Sequence, residues 1–309
     1  MMRNSLVISG MFRSGTTLIW RYLSADPNYK TYFCEPLHSN LIYEIKNHKH
    51  YSYFKEYPEA INNYSDNFWI KNYRLFNNEK DNHLYKYLSE LMFPGSLIKF
   101  TRMNLRLNWL LTNFPETKII NVVRDPRAVA YSYLKQARPN NTLTRIRKFL
   151  YKKNIISFPI NGNFNFTYWS DDYYRYFKNN SFLSSDLEKV KKDDISLIFY
   201  LWKVNVIYSI KDLEKYSTDQ VFHIGYETFI QNPLKVLKTI YKSFSFDFPE
   251  ELEKEAKKET VSNLGGTKKW QKELNQNYST EWKKIDNKIW NNMIEKFDLI
   301  DIMNKFNMI

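Results

Sequence analysis

The first 25 residues constrain the fold of this chain more than any other segment. A short apolar run, Leu6–Gly10, leads through a loop with a second glycine, Gly15, into apolar residues at helical spacing over Thr16 to Ala25. A strand that passes through a glycine-framed loop directly into a helix is typical of the start of a parallel α/β sheet. We therefore predict a strand, an anion-binding loop whose backbone N–H groups point inward, and a helix.

The loop resembles a phosphate-binding loop but lacks one of its residues. Gly10, Gly15 and Thr17 fit the pattern G-x-x-x-x-G-K-S/T, whereas Thr16 replaces the lysine. Without that lysine a nucleoside triphosphate fits less well, while Arg13 offers guanidinium donors to an oxyanion. An ordinary strand-to-helix turn is the alternative. The residues expected to bind the anion are Arg13, Ser14, Gly15, Thr16 and Thr17.

A second motif follows the most apolar strand of the sequence, Lys118–Val123. Arg124 stands at its carboxyl end, where open α/β sheets bind their ligands. Asp125 and Pro126 then cap and begin a helix, and Ser132 lies two helical turns beyond Arg124. We expect Arg124 and Ser132 to hold one phosphate together, unless Arg124 merely pairs with Asp125.

The rest of the chain continues the α/β pattern. Further strands are predicted at Tyr29 to Cys34, Ser96–Phe100 and Val221–Ile224. Helices are predicted at Asn104–Phe114, 185–216, 233–245 and 286–306. Residues 136–185 lack periodicity and form a segment too long for a loop without a function in a compact domain, so we expect a lid or an inserted subdomain there.

The two motifs together resemble the sulfotransferase superfamily. The loop is similar to its 5′-phosphosulfate loop, and Arg124 with Ser132 match its 3′-phosphate grip. The chain is most similar to carbohydrate sulfotransferases of the N-acetylglucosamine-6-O and keratan sulfate type. The segments that carry this likeness are FCEPLH from Phe33, LIKFTR from Leu97, VRDPRAV from Val123 and GYETF from Gly225. Thr16-Thr17 departs from the serine pair of that group, and Tyr133 stands where it often has an arginine.

The resemblance implies one sulfotransferase domain over 1–309 with a P-loop-NTPase-like, three-layer α/β fold. The donor would be 3′-phosphoadenosine 5′-phosphosulfate (PAPS), and the acceptor a hydroxyl group, first on a glycan and otherwise on a lipid or a protein tyrosine. In relatives a loop at the position of Lys268 and Lys269 covers the nucleotide, so the resemblance implies that these two lysines bind it. Alternatively, the segment is a surface turn.

The acceptor hydroxyl needs a base, and the resemblance assigns this role to Glu35. Glu35 ends a strand that we expect to lie beside the strand feeding the loop. His38 is the other candidate base, in which case Glu35 would be a structural partner of Arg13 or Arg102. Lys99 is expected to stabilise the leaving oxygen.

Charge and composition limit the other possibilities. The formal net charge of +13 indicates an anionic partner or a lysine-rich surface. No nucleic-acid-binding motif is present, and a kinase or other NTPase would need the missing lysine. A single cysteine, Cys34, and the lack of a long apolar run favour a cytoplasmic enzyme without a membrane span, leaving peripheral membrane contact open. No metal is expected, because the loop has no neighbouring Asp pair.

Overall fold

The computed structural model describes residues 3–38, 41–47, 57, 63–64, 82–136, 186–190, 194–257, 281–284 and 286–309. Within these ranges five strands form one parallel sheet. The strands are β1 (Leu6–Gly10), β2 (Thr31–Cys34), β3 (Ser96–Phe100), β4 (Lys118–Val123) and β5 (Val221–Gly225).

Helices connect and cover these strands. In chain order they are α1 (Thr16–Leu23), α2 (Leu41–Asn47), α3 (Asn82–Ser89), α4 (Leu107–Asn113), α5 (Pro126–Gln136), α6 (Asp194–Leu213), α7 (Tyr226–Gln231), α8 (Pro233–Ser243), α9 (Glu250–Ala256), a 3-10 turn (Glu281–Lys284), α10 (Asn287–Lys296) and α11 (Ile300–Lys305). Among these helices, none combines the length and the hydropathy that a membrane span requires.

The side chains of β1 show why the sheet is covered on both faces. Leu6 and Ile8 pack in one buried cluster with Trp20 of α1, whereas Val7 points the other way into a cluster with Leu110 of α4. Successive residues of a strand face opposite sides of a sheet, so an apolar run such as this one needs two helical layers. The predicted three-layer α/β fold is confirmed.

Most predicted elements match the structure, with shifted boundaries. The strands at Leu6–Gly10, Ser96–Phe100 and Lys118–Val123 have the predicted bounds. The helices α7 and α9 were not predicted from the pattern. Residues 137–185 and the pair Lys268 and Lys269 lie outside the described residues, so the lid or insertion and the covering loop stay predictions.

One expectation about the sheet is wrong. The strand order is β2-β3-β1-β4-β5, so β3 lies between β1 and the strand that ends before Glu35. Lys99 of β3 is opposite Cys34 on one side and Ile8 on the other. Glu35 therefore does not flank the loop strand directly. Lys99 lies between Glu35 and that strand.

Candidate active site

The loop between β1 and α1 has the backbone of an anion-binding turn. The Ser14 N–H donates to the Met11 carbonyl at 3.1 Å and closes the turn. Arg13 and Gly15 both adopt left-handed backbone angles, with φ of 64° and 85°. Gly15 is the N-cap of α1 and has no side chain to cap it. The N–H groups of the first helical turn are thus directed at the space above the loop, where an anion would be favoured.

Both glycines of the loop are required by close packing. A β-carbon on Gly10 would lie 2.6 Å from the Val122 carbonyl oxygen of β4. A β-carbon on Gly15 would lie 2.1 Å from Cε2 of Tyr226, whose ring closes one side of the loop. The spacing of the motif therefore reflects contacts with β4 and with the start of α7.

The structure links Arg13 to both Ser132 and Arg124, whereas the predicted joint binding of one phosphate by Arg124 and Ser132 stays a prediction. The Arg13 Nε donates to Ser132 Oγ at 3.0 Å, and Nη1 of Arg124 donates to the Arg13 carbonyl at 2.9 Å. The Arg124 guanidinium lies over the Tyr226 ring, 4.5 Å from its centroid. The arginine that follows β4 is thus joined to the loop that follows β1.

Arg124 is buried and keeps hydrogen-bonding capacity. Its side chain is 8% exposed, and its Nε has no hydrogen-bond partner within the described part of the chain. Asp125 binds Arg127 instead, at 2.6 Å, and also accepts from the Arg127 N–H. The alternative in which Arg124 serves only to pair with Asp125 is therefore wrong. A buried guanidinium with an unused donor is a suitable place for a phosphate.

Glu227 lies beside Arg124 and accepts only long hydrogen bonds. Its Oε1 is 4.0 Å from the Arg124 Nε, and its two oxygens accept from the Asp125 N–H at 3.3 and 3.4 Å. Burial and the nearby Asp125 carboxylate raise the pKa of Glu227 to about 7, against the opposing effect of Arg124. Glu227 is therefore protonated much more readily near neutral pH than an exposed glutamate.

Lys99 connects the loop to the other candidate catalytic residues. Its Nζ lies 2.7 Å from Glu35 Oε1 and donates to Thr17 Oγ1 at 3.1 Å. The residue is 5% exposed, so it is not a surface lysine at a strand end. Lys99 thus places a positive charge between the anion loop and a carboxylate.

Glu35, which follows β2, is held by three groups from β3 and the residues directly after it. Besides Lys99, Arg102 lies 3.3 Å from Oε2, and the Thr101 N–H donates to the same oxygen at 3.1 Å. Burial opposes the charged form, yet Lys99 and Arg102 together lower the pKa of Glu35 to about 2. Glu35 is consequently a carboxylate at every physiological pH. The structure makes it a partner of Arg102, one of the two arginines considered.

His38 lies in the turn that follows Glu35. Its N–H donates to the Glu35 carbonyl at 2.9 Å, and its own carbonyl accepts from the hydroxyl of Tyr64. Burial and the nearby Arg102 lower the pKa of His38 to about 4. The imidazole is therefore neutral at pH 7 and able to accept a proton.

A comparison with protein families shows the family of the chain. The model of the sulfotransferase family matches residues 5–183, more than half of the chain. The chain belongs to the sulfotransferase family. The matched segment of this sulfotransferase contains Arg13, Glu35, Lys99 and Arg124, whereas Glu227 lies beyond it. A search of curated proteins found no significant match in sequence.

Solved sulfotransferases resemble this one only distantly. The sulfotransferase STF9 from Mycobacterium avium is 14% identical, with a TM-score of 0.49 over all of this chain and 78% of that one. The sulfotransferase domain from the curacin biosynthetic pathway is 13% identical, with a TM-score of 0.46 over 93% and 92% of the two chains. The sulfotransferase STF1 from Mycobacterium tuberculosis H37Rv is 12% identical, with a TM-score of 0.45 over 89% and 77%.

Sequence reasoning missed two residues beside the candidate site. Tyr226 and Glu227 were noted in a motif segment but given no role. Both follow β5, which ends at the carboxyl edge of the sheet, and this is the signal that could have identified them. Within the described residues, no group of three or more His, Cys, Asp or Glu side chains is arranged to hold a metal ion.

Proposed function

We propose that this sulfotransferase uses PAPS as its donor and transfers the sulfuryl group to a carbohydrate hydroxyl. The observation that carries the proposal is that two groups suited to bind anions lie in contact at one edge of the sheet. One is the loop with Arg13, and the other is Arg124. PAPS has anionic groups at both ends of its ribose, and the unused Nε of Arg124 fits the 3′-phosphate.

In the proposed reaction the acceptor oxygen attacks sulfur in line with the leaving phosphate. The acceptor O–H bond breaks and its proton goes to Glu35, while the new oxygen–sulfur bond forms. The bond from sulfur to the bridging oxygen breaks, and its electron pair leaves with the 5′-phosphate of adenosine 3′,5′-bisphosphate (PAP). Catalysis of this kind depends on positioning and on charge stabilisation, which Arg13 and Lys99 would supply.

Lys99 explains how a carboxylate with a low pKa could serve as the base. Lys99 and Arg102 lower the pKa of Glu35 to about 2 although burial opposes the charged form, and this makes Glu35 a weak base while both cations are beside it. The Lys99 Nζ also reaches Thr17 in the loop. When Lys99 moves to the developing charge on the leaving oxygen, Glu35 loses one cation and becomes more basic. His38, neutral at pH 7, is the alternative base.

The carbohydrate acceptor rests on sequence resemblance. Segments around Glu35 and Arg102 are similar to those of carbohydrate sulfotransferases, and the net charge of +13 suits an acidic glycan. The test is a panel of glycan, lipid and tyrosine-peptide acceptors incubated with radiolabelled PAPS. Transfer to glycans alone is the expected result. Transfer only to a lipid or to tyrosine would replace the carbohydrate assignment and retain the donor.

A kinase or other nucleoside triphosphatase is the competing function of a different class. Thr16, in place of the loop lysine, argues against it, and Arg124 gives the site a reason to prefer a 3′-phosphate. Calorimetry with PAP, ATP and a DNA duplex separates the possibilities. We expect tight binding of PAP only. Stronger binding of ATP, or of DNA, would overturn the proposed donor.

The proposed chemistry needs no metal ion. The sulfuryl group carries less charge than a γ-phosphoryl group, and Arg13 with Lys99 would stabilise it without Mg²⁺. Activity should therefore be the same in EDTA as in Mg²⁺. An absolute Mg²⁺ requirement of single-turnover transfer would contradict this mechanism. The proposal also includes a cytoplasmic location, based on the single cysteine.

A further inference from the structure

Glu227 occupies an unusual position beside the proposed 3′-phosphate grip. It follows β5 directly after Tyr226, and 19% of its side chain is exposed. Its oxygens are 4.0 Å or more from the Arg124 Nε, which is too far for a hydrogen bond, and its bonds from the Asp125 N–H are long. The carboxyl group is therefore close enough to act on Arg124 electrostatically without binding it.

The groups around Glu227 have opposite effects on its ionisation. From the junction of β4 and α5, Arg124 favours the anion, whereas the Asp125 carboxylate, itself bound to Arg127, opposes it. From its own helix, the Tyr226 ring covers Arg124, and Arg13 of the loop also acts electrostatically on that tyrosine. The Phe306 carbonyl, at the end of α11, lies near Gly225. Arg124 is thus the main positive charge that keeps Glu227 ionised.

A phosphate bound to Arg124 would change this balance. The guanidinium charge would be compensated by the phosphate, and two negative charges would be added within a few ångströms of Glu227. An ionised Glu227 would repel the phosphate, whereas a protonated one would not. Burial and Asp125 already raise the pKa of Glu227 to about 7, so protonation requires little free energy near neutral pH.

We propose that Glu227 is a positioning residue of the donor site that acts through Arg124, taking up a proton when the 3′-phosphate binds. The inference rests on the proposed function, because it needs a nucleotide with a 3′-phosphate at Arg124. It predicts that PAP binding weakens as the pH rises above 7, since the free protein is then ionised and must gain a proton to bind. Adenosine 5′-monophosphate (AMP), which has no 3′-phosphate, should not show this dependence.

The direct test is calorimetry of PAP binding at pH 7.5 in buffers of different ionisation enthalpy. The wild-type protein should take up about half a proton per PAP bound and almost none per AMP. Between pH 7 and pH 8.5 the affinity for PAP should fall about fourfold, since a difference of about one pKa unit between free and bound protein corresponds to about tenfold only over the whole titration. The phosphates themselves titrate near pH 6, below this range.

The variant Glu227→Gln imitates the protonated side chain permanently. It should bind PAP without proton uptake, with little pH dependence, and at pH 8.5 more tightly than the wild type. A purely structural glutamate would give weaker binding at every pH. Glu253→Gln, at a partly exposed position of α9, is the control and should keep the wild-type proton uptake.

The outcomes separate this inference from the proposed function. If the wild type binds PAP no better than AMP at any pH, the donor assignment fails and the inference fails with it. If PAP binds tightly without proton uptake, only the role of Glu227 is overturned. Since proton uptake is measured on the wild type, this result stands even if Glu227→Gln does not fold.

Discussion

Two residues with proposed chemical roles have strained backbones. Arg13 and Glu35 are among the six non-glycine residues with positive φ in the described structure, at 64° and 54°. Both are held by hydrogen bonds from residues that directly follow other strands. The Arg13 carbonyl accepts from Arg124, and the Glu35 carboxylate accepts from the Thr101 N–H. Such strain persists where the surroundings hold it, and it is often found where side chains must be aimed at a substrate.

At this scale the first prediction concerns the base. Glu35→Gln keeps the size of the side chain but removes its basicity, so kcat should fall by ~10²–10⁴-fold. The affinity for PAP should stay nearly unchanged, and His38→Ala should have a smaller effect. Steady-state kinetics and calorimetry measure both. If Glu35→Gln stays active while His38→Ala is inactive, the two roles are reversed.

A stability measurement separates the catalytic role of Glu35 from its ion pairs. Despite burial, Lys99 and Arg102 lower the pKa of Glu35 to about 2, so its pairs stabilise the folded state above the ordinary pKa of glutamate. This stabilisation is lost as the pH falls toward 2. Chemical unfolding should therefore show a deficit for Glu35→Gln at pH 7 that shrinks below pH 4. A deficit independent of pH would argue against the ion-paired carboxylate.

A second residue-scale prediction concerns the 3′-phosphate grip. Arg124→Ala removes a charge-assisted hydrogen bond worth ~1.5–3 kcal/mol, so PAP should bind roughly ten- to hundredfold more weakly. AMP should lose much less, because it has no 3′-phosphate. Calorimetry with both nucleotides checks the difference, and equal losses would refute the assignment of Arg124.

At the scale of elements, the loop depends on the helix that follows a distant strand. The first residue of α7, Tyr226, lies against Gly15 of the loop and covers Arg124 at the end of β4. The β1 loop, the β4 end and the start of α7 thus share one aromatic ring. A substitution in any of the three that displaces this ring should therefore affect the other two.

Gly15→Ala should disrupt this arrangement. The added β-carbon would lie 2.1 Å from the Tyr226 ring, and alanine is disfavoured at a φ of 85°. With a strain of ~1–3 kcal/mol, we expect PAP affinity to fall by about tenfold or more. Ser24→Ala, at the far end of α1, is the control and should bind PAP normally. Normal binding by Gly15→Ala would show that the loop does not need this backbone.

At the scale of the whole molecule, the C-terminal segment is bonded to the helix that follows β4. Arg127 of α5 pairs with Asp125 and donates to the Met308 carbonyl at 2.7 Å. Its guanidinium also lies 4.0 Å from the centre of the Trp282 ring. One buried arginine therefore connects the helix after β4 with two segments near the end of the chain.

Arg127→Met should destabilise the folded protein by roughly 3–5 kcal/mol, because Asp125 would remain as an unpaired buried charge. Urea unfolding measures this change. Lys254→Met is the matched control, since the Lys254–Glu250 pair is 67% and 76% exposed and should contribute little to stability. A similar small loss in both variants would mean that Arg127 does not hold the C-terminal segment.

The sequence by itself determined the elements that carry the site. The strands at Leu6–Gly10 and Lys118–Val123 were predictable because central parallel strands are short, continuous apolar runs. The glycines of the loop and the Asp-Pro start of α5 are local signals, each tied to a backbone angle or a helix end. The placement of Arg13 and Arg124 in one site could be predicted from these signals, since residues just beyond such strands meet at one edge of the sheet.

The tertiary structure decided which of these residues touch. Strand order depends on pairing between distant segments, so no local pattern indicated that β3 separates β2 from β1. That order places Lys99 between Glu35 and the loop. The charge states of Glu35 and Glu227 could not be predicted from the sequence either. The pKa of a buried carboxyl group depends on the charges that folding brings within a few ångströms, and these come from other strands.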